Sequence, residues 1–322
     1  MTSSTNATHA IGIDFGGTTI KSALVENGRI IQRGTTIDTQ QYSGPDAILD
    51  AMVAVIEDLR KVEPSVSAIG IGLPGLVDSL NGIVHELTNV PGWCDVALRS
   101  LLQKRTGLHV IIENDANAMA YGEWKYGAAQ NGQHVVCVTL GTGVGGALIL
   151  DGRLYRGAQL GAGEIGHMSI DYQGRPGPFG NDGGLEEYVG NQQIAERAVE
   201  LYRAAGQEKT LAECTPLELG ARAQAGDAVA QKLWEDLGTE VGSALASVVW
   251  LLNPDTIVIG GGVAKAGELI LDPIRRNIRG RTQKVIHENL RVVPAALGND
   301  AGIIGNAALA LESAELQRSV RM

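Results

Sequence analysis

The chain has few cysteine and aromatic residues and no concentration of positive charge. Its 322 residues include three isolated cysteines, Cys94, Cys137 and Cys214, with no CxxC pair. This excludes a disulfide framework and favours a reducing, cytoplasmic location. Lysine and arginine total 26 against 36 aspartate and glutamate, which gives a formal net charge of −10 without any basic run. We therefore expect no nucleic-acid partner.

Long hydrophobic runs are also missing. The longest apolar helical run, residues 241–252, is too short to span a bilayer and contains glycine and serine. Residues 1–9 are polar and do not have the apolar core of a signal peptide. We therefore expect no membrane partner. The hydrophobic fraction of 44% is nevertheless large enough for a globular protein with a sizeable core.

Glycine is abundant, and one glycine-containing pattern occurs twice. Residues 17–30 align without a gap on residues 141–154, with six of the 14 positions identical and four more conservative. Each copy follows an apolar strand and ends in Asn-Gly or Asp-Gly, so each predicts a β-hairpin. We interpret the chain as two homologous halves that each present a loop of glycine and threonine.

Both loops have the composition of phosphate-binding loops. Glycine lets backbone N–H groups approach an anion closely, and threonine hydroxyls add further donors. Asp14 precedes the first loop and is suited to holding Mg²⁺ through water, while Lys21 adds a positive charge. Either loop alone is equally compatible with an ordinary hairpin turn, but the duplication favours phosphate binding.

The rest of the chain alternates between predicted strands and helices. Apolar spacing predicts helices over residues 45–62, 95–105 and from 113 to about 126, a helix-rich insertion over 187–248, and a final helix. Strands are predicted at 30–37, 68–72, 109–112, 256–259 and 290–294. The predicted fold class is α/β, with mixed sheets because a hairpin extends each sheet, and with a cleft between the halves.

Seven motifs occur in a characteristic order. They are residues 14–18 (DFGGT), 70–75 (GIGLPG), 113–117 (ENDAN), 140–146 (LGTGVGG), 163–167 (GEIGH), 180–186 (GNDGGLE) and 260–262 (GGG). With them the chain resembles, over nearly its whole length, the ROK family of sugar kinases and sugar-responsive repressors, in the superfamily of actin, hexokinase and heat-shock ATPases. The resemblance implies two actin-like (ribonuclease H-like) domains with an interdomain cleft. The first is residues 1–115, completed by a C-terminal helix over about 300–322, and the second is residues 116–299 with the helical insertion.

The resemblance also implies a reaction, in which ATP with Mg²⁺ phosphorylates the 6-hydroxyl of a hexose. Asp115 is then the general base that takes the hydroxyl proton. From position alone, Asp115 or Asn114 could equally be a helix N-cap, Glu186 a first-turn helix acid, and His167 a structural residue. The implied sugar ligands are Gly75, Asn89, Asn114, Asp115, Glu164, His167 and Glu186. The implied ATP ligands are Asp14, Gly16, Gly17, Thr18, Thr19, Lys21, Gly141, Thr142, Gly143, Gly260, Gly261 and Gly262.

One stretch departs from the family pattern. Many members carry Cys-x-Cys-Gly-x-x-Gly-Cys, which binds zinc, just before the second sugar glutamate. Here Gly177, Phe179 and Gly184 replace the three cysteines. Zinc needs about four ligands, so we expect no structural zinc. Residues 173–185 then need another anchor, and Phe179 packing inward is one possibility.

Several alternatives stay open. Residues 89–93 (NVPGW) resemble glucokinase-type members and favour glucose, but mannose, fructose and N-acetylhexosamines differ from it by few groups. Polyphosphate is an alternative to ATP as donor. Regulators of the family carry a DNA-binding domain before the first loop, whereas 13 residues precede Asp14 here, so we expect a kinase rather than a sensor. The family also implies a homodimer.

Overall fold

The computed structural model describes residues 8–75, 77–87, 90 and 92–321. The chain divides into two compact units. Unit 1 comprises Met1–Asn131, Arg156–Gly161 and Asn299–Met322, and unit 2 comprises Gly132–Tyr155 and Ala162–Gly298.

Unit 1 is built on a mixed sheet. Its strands are β1 (His9–Phe15), β2 (Thr19–Glu26), β3 (Arg29–Arg33), β4 (Ile37–Asp38), β5 (Ala68–Leu73), β6 (Val77–Asp78), β7 (Ile83–Glu86), β8 (Cys94–Val96) and β9 (His109–Asn114). Its helices are α1 (Gly44–Val62), α2 (Leu98–Thr106), α3 (Asp115–Tyr126) and α10 (Ala301–Arg321). The main sheet has the order β3-β2-β1-β5-β9, with β4 beside β2, and β6, β7 and β8 form a small second sheet. Strands β1, β5 and β9 are parallel, and β2 is antiparallel to β1.

The first hairpin forms as predicted. Asn27 and Gly28, between β2 and β3, both have positive φ, at 48° and 78°, which is the geometry of a type I′ turn.

One face of the sheet packs on α1 and α2 through a core of aliphatic residues, and the other face packs on α10. The second contact is unusually close. A Cβ at Gly12 would lie 1.9 Å from the carbonyl oxygen of Ile303, so only glycine fits there.

Helix α3 belongs to unit 1 because it also packs tightly on α10. A Cβ at Gly305 would lie 1.8 Å from the carbonyl oxygen of Ala118, which means that the two helix backbones touch. Unit 1 therefore continues to residue 131, whereas the expected division of the chain fell at residue 115.

Unit 2 repeats this design. Its strands are β10 (Val135–Leu140), β11 (Val144–Leu150), β12 (Arg153–Tyr155), β13 (Thr256–Gly260) and β14 (Arg291–Pro294). Its helices are α4 (Glu186–Val189), α5 (Asn191–Ala204), α6 (Pro216–Gln224), α7 (Ala228–Leu252), α8 (Glu268–Arg281) and α9 (Lys284–His287). The sheet order, β12-β11-β10-β13-β14, matches that of unit 1 strand for strand. Asp151 and Gly152 form the second turn with positive φ, so the predicted duplication and the α/β class with mixed sheets are confirmed.

Two predicted elements differ from the structure. The helix expected from Asp95 begins at Leu98, because Cys94–Val96 pairs with β7 as β8 and Asp95 has a φ of 51°. The strand expected over 30–37 stops at Arg33, and β4 then pairs separately with the start of β2. In the described part of the chain, none of the helices combines the length and the apolar character needed to cross a membrane.

Candidate active site

The sequence-predicted residues of unit 1 gather at one edge of its sheet. Strands β1, β5 and β9 are parallel neighbours, and their carboxyl ends lead into the 14–18 loop, Gly75 and the 114–115 segment. The carboxyl edge of a parallel sheet is where α/β proteins bind ligands. A cavity of about 80 Å³ lies there, lined by Gly16, Gly17, Pro74, Gly75, Glu86, Leu87 and Val90. Asn89, also predicted to bind the sugar, lies outside the described residues.

Thr39 holds the first Gly/Thr loop in place. Its hydroxyl donates to the carbonyl oxygen of Gly17 at 3.0 Å, and its N–H donates to that of Thr18 at 3.0 Å. Because a trans peptide points its N–H opposite to its C=O, the N–H groups of Thr18 and Thr19 face away from Thr39. The N–H of Gly16 is used within the loop by the carbonyl oxygen of Thr19 at 2.9 Å. The loop therefore offers the Thr18 and Thr19 donors on one side.

The surroundings of Asp14 disfavour the charged form of its carboxylate. Burial raises the pKa of this carboxylate, and the positive charge of Lys21, its cross-strand partner, lowers it only in part. A cation at Asp14 would relieve the cost of burying the charge, so the residue fits a role in holding Mg²⁺. No group of three or more His, Cys, Asp or Glu side chains among the described residues is able to hold a metal. Phosphate and water oxygens would have to complete the coordination.

Asn114, not Asp115, caps α3. Its Oδ1 accepts hydrogen bonds from the N–H groups of Ala116 at 2.9 Å and Asn117 at 3.2 Å, and its Nδ2 lies 3.4 Å from the carbonyl oxygen of Gly75. Asp115 occupies the first position of the helix and is exposed. Asn114 thus fills the capping role that either residue could have taken, although Oδ1 of Asp115 also accepts a hydrogen bond from the N–H of Ala116, at 2.8 Å.

Sequence reasoning missed the residue that supports this segment. Glu113 is buried, and its Oε2 accepts hydrogen bonds from Nε and Nη2 of Arg156 at 2.7 and 2.6 Å. Its Oε1 accepts from the N–H of Asn114 and from Nδ2 of Asn117, both at 3.0 Å. Glu113 therefore joins Arg156 to the backbone of Asn114 and to the side chain of Asn117, on either side of Asp115. No local pattern could have revealed Arg156, which lies 43 positions from its partner.

In unit 2, Glu186 fixes the second Gly/Thr loop. Its Oε2 accepts a hydrogen bond from the N–H of Val144 at 2.7 Å, just after the loop. A Cβ at Gly143 would lie 2.2 Å from the same oxygen, so a larger residue there would displace the Glu186 carboxylate. The N–H of Gly141 donates to the carbonyl oxygen of Gly143 at 2.9 Å, and Thr142 is exposed at the tip. A residue predicted to bind sugar thus also shapes a predicted phosphate loop.

Glu164, His167 and Glu186 lie close to one another. Loss of surrounding water raises the pKa of the Glu164 carboxylate; His167 lowers it in part and the negative charge of Glu186 raises it further. Glu164 directly precedes the short 3₁₀ turn Ile165–His167, which brings the two side chains into one place. The structure therefore brings together the three predicted sugar ligands of unit 2.

Phe179 does not pack inward, which was one possible anchor for residues 173–185. Its side chain is 78% exposed, although its ring makes a T-shaped contact with the His167 ring, with the centroids 5.2 Å apart. Polar contacts hold residues 173–185 in place instead. Asn181 Nδ2 donates to the carbonyl oxygen of His167 at 2.8 Å, and the N–H of Arg175 donates to the hydroxyl of Tyr188 at 3.0 Å. The Arg175 guanidinium also lies 4.9 Å from the centre of the Tyr188 ring.

The 260–262 turn adjoins a pocket of nucleoside size. Strands β10 and β13 are parallel, and Gly261 (φ 87°) lies so close to Leu140 that a Cβ would be 2.2 Å from its carbonyl oxygen. A pocket of about 390 Å³ is lined by Asn191, Thr215, Pro216, Leu217, Gly220, Ala221, Gln224, Gly262, Lys265 and Ala266.

Asn191 is one of the residues that line this pocket. Its Oδ1 is buried and has no hydrogen-bond partner among the residues that the structure describes. Its N–H donates to the carbonyl oxygen of Gly141 at 2.9 Å, so the residue links the pocket to the second loop. A buried acceptor without a partner is costly, so an incoming hydrogen-bond donor here would be stabilising. These features fit the nucleoside end of ATP.

Known proteins match this chain over nearly all its length. A glucokinase from Streptomyces coelicolor is 34% identical over 316 residues, covering 94% of this chain and 97% of that protein. The crystal structure of a ROK family glucokinase from Streptomyces griseus in complex with glucose and AMPPNP is 32% identical, with a TM-score of 0.78, and covers 94% of this chain and 99% of that one.

Regulators resemble the chain as well. The structure of a ROK family transcriptional regulator, a homologue of the E. coli MLC protein, is 30% identical with a TM-score of 0.85, and covers 96% of this chain and 79% of that one. The family model of ROK matches residues 10–313. With its duplicated hairpins, its two glycine-threonine loops and these relatives, the chain belongs to the ROK family.

Proposed function

We propose that this protein is an ATP-dependent glucokinase that transfers the terminal phosphoryl group of ATP to the 6-hydroxyl of glucose. The observation that carries the proposal is the state of Asp115. It is an exposed carboxylate at the start of α3, a helix that is capped by Asn114, and its neighbours on both sides are held by a buried glutamate. A positioned carboxylate of this kind suits a general base.

Phosphoryl transfer depends mainly on positioning and on neutralising charge. The outward N–H groups of Thr18 and Thr19, with Gly16, Gly17 and Lys21, are proposed to bind phosphate oxygens, as are Gly141, Thr142 and Gly143. Gly260, Gly261 and Gly262 are proposed to receive the adenosine, with Asn191 as an additional polar contact. Mg²⁺, held by Asp14 through water, would neutralise developing charge on the phosphates.

The sugar ligands are proposed to come from the motifs identified in the sequence. Gly75, Asn114 and Asp115 of unit 1, and Glu164, His167 and Glu186 of unit 2, supply donors and acceptors for hydroxyl groups, with Asn89 as a further candidate. Such a site rejects analogues that lack a hydroxyl, because its own polar groups would be left unpaired. The glucokinases among the relatives support glucose over mannose, fructose and N-acetylhexosamines. We also propose a cytoplasmic homodimer, as the family resemblance implies.

The test is to replace Asp115 with asparagine and to follow ADP release with glucose and ATP. We expect kcat to fall by ~10²–10⁴-fold, because the base is lost, while calorimetry still detects glucose binding. Asp46→Asn, in the first turn of α1, is the matched control and should keep wild-type turnover. The role of Asp115 is contradicted if the variant keeps more than roughly a tenth of wild-type kcat, above the range expected for a lost base.

A panel of sugars separates the proposed substrate from its alternatives. Glucose, mannose, fructose and N-acetylglucosamine are each assayed with ATP and with polyphosphate, and glucose with ATP should give the highest kcat/KM. A higher value for another pair would correct the substrate but keep the kinase. Sugar binding without product from any pair would instead indicate a sugar sensor.

A further inference from the structure

Helices α8 and α9 and strand β14 enclose a pocket that contains none of the proposed active-site residues. It has a volume of about 220 Å³ and is lined by Arg275, Ile278, Arg279, His287, Leu290, Arg291, Val292 and Val293. Three arginines and a histidine thus line it, with no carboxylate. This concentration of positive charge contrasts with the chain as a whole, whose formal net charge is −10.

Two of the arginines, Arg275 and Arg279, differ in their ion pairing. Nη1 of Arg275 contacts Glu268 at 2.5 Å and Asp272 at 3.3 Å. Arg279 is exposed, and no carboxylate of the described residues lies within ion-pair distance of it. The Nδ1 atom of His287 lies 2.9 Å from the hydroxyl oxygen of Thr282, which leaves its Nε2 for another partner.

The backbone adds a donor to the pocket. Strand β14 is the edge of its sheet, and the N–H groups of Arg291 and Ala295 bond towards β13. Because strand residues alternate in direction, the N–H and C=O of Val292 face away from β13. The C=O accepts a hydrogen bond from Nε of Arg275 at 3.1 Å, so the N–H of Val292 faces the same side.

We propose that this pocket binds a small phosphate-bearing anion. Guanidinium groups match the geometry of phosphate oxygens through paired N–H donors, and several of them around one cavity hold an anion more strongly than an exposed pair does. Pockets for whole drug-sized ligands measure about 300–1,000 Å³. The smaller volume here suits a phosphate group with a short carbon stem rather than a nucleotide.

Binding is tested by calorimetry with inorganic phosphate and, in a second arm, with glycerol 3-phosphate, in the presence of saturating AMPPNP and glucose to occupy the active site. Chloride at equal ionic strength controls for general salt effects. Tighter binding of glycerol 3-phosphate would identify a phosphate ester as the ligand, and equal binding would identify free phosphate.

Variants then locate the binding. Arg279→Gln combined with Arg291→Gln should weaken binding by about tenfold or more, since charge-assisted hydrogen bonds are lost. Arg281→Gln is the control, because Arg281 lies on the same helix but does not line the pocket. Arg279→Gln alone removes no ion pair, so it should fold and still weaken binding. Unchanged affinity in both pocket variants, or an equal response to chloride, would overturn the proposal.

Discussion

Glu113 shows how one buried residue can organise the segment that contains Asp115, the proposed general base. Its carboxylate is 3% exposed, and among the described residues its ion-pair partner is Arg156, which binds one of its oxygens through two nitrogens. The other oxygen holds Asn114 and Asn117. Removing the cation would leave an uncompensated charge next to Asp115, and such losses are costly in protein interiors.

Arg156→Ala is therefore expected to lower both stability and kcat. The loss of stability should approach about 3 kcal/mol, the lower end for broken buried pairs, because Arg156 is itself 32% exposed. Chemical denaturation and steady-state kinetics measure the two effects. Arg153→Ala, an exposed residue on β12, is the control and should change neither.

A double variant separates positioning from plain stability. Glu113→Gln in the Arg156→Ala background removes the uncompensated charge and should restore much of the stability. It should not restore kcat, because the amide cannot reproduce the paired contact that orders the segment. Joint recovery of stability and kcat would show that Arg156 acts only on folding.

Asp14 should decrease the stability of the protein at neutral pH. Its folded pKa is raised by burial, whereas its unfolded value is near 3.9. Between the two values the folded state binds more protons, so its stability falls as pH rises through that window. Asp14→Asn should thus be more stable than wild type at pH 7, and the gain should vanish below about pH 3.9, where both states of the wild type are protonated.

Denaturation at both pH values, with Asp58→Asn as an exposed control on α1, measures this effect. The Asp14 variant should also lose kinase activity if Asp14 holds Mg²⁺. A variant that is less stable than wild type at pH 7 would show that the carboxylate makes favourable contacts in the folded state.

At the scale of elements, polar contacts hold the 173–185 loop in place. Besides the Tyr188 and Asn181 contacts, the Arg175 guanidinium donates to the carbonyl oxygen of Glu187 at 2.6 Å, and the N–H of Gly183 donates to that of Arg175 at 2.6 Å. The hydroxyl of Tyr188 therefore ties the loop to α4, the helix that begins with Glu186.

Tyr188→Phe should loosen this loop. Loss of one hydrogen bond is expected to cost about 0.5–1.5 kcal/mol and to raise KM for the sugar more than KM for ATP, because the loop borders His167 and Glu186. Tyr172→Phe is the control, since Tyr172 is 81% exposed.

Elemental analysis should find no stoichiometric zinc. One zinc per chain would contradict the idea that these contacts stand in place of a metal.

Local sequence patterns predicted most helices and strands, but not the features that depend on contacts between residues far apart in the sequence. The Asn-Gly and Asp-Gly turns were predictable because their positive φ suits those residues, and the order of motifs located the loops. The start of α2 could not be predicted in this way. Although the local spacing at Asp95 favours a helix, this segment pairs with β7 as a strand. Likewise, Asn114 is distinguished from Asp115 as the cap only by hydrogen-bond geometry, and Arg156 is recognised only from its contact with Glu113.

At the scale of the whole molecule, the duplication places the two Gly/Thr loops in equivalent positions of the two units. The sheets of the two units have the same strand order, and β1 and β10 occupy equivalent places in them. A Gly/Thr loop follows each of these strands, and each is fixed from one side, by Thr39 in unit 1 and by Glu186 in unit 2. If one loop binds phosphate, the same design in the other implies the same chemistry.

Hydrogen exchange with AMPPNP and Mg²⁺ tests this equivalence. Slower exchange is expected at residues 16–19 and 141–144, the two loops, and at α6 and residues 260–266 around the nucleoside-sized pocket, because bound N–H groups are protected from exchange by the ligand. Glucose alone is the comparison, and it should protect residues 113–117 and 164–167 while leaving α6 unchanged. Protection by AMPPNP confined to unit 2 would mean that the first loop is an ordinary turn, and that the duplicated pattern reflects shared folding rather than shared phosphate binding.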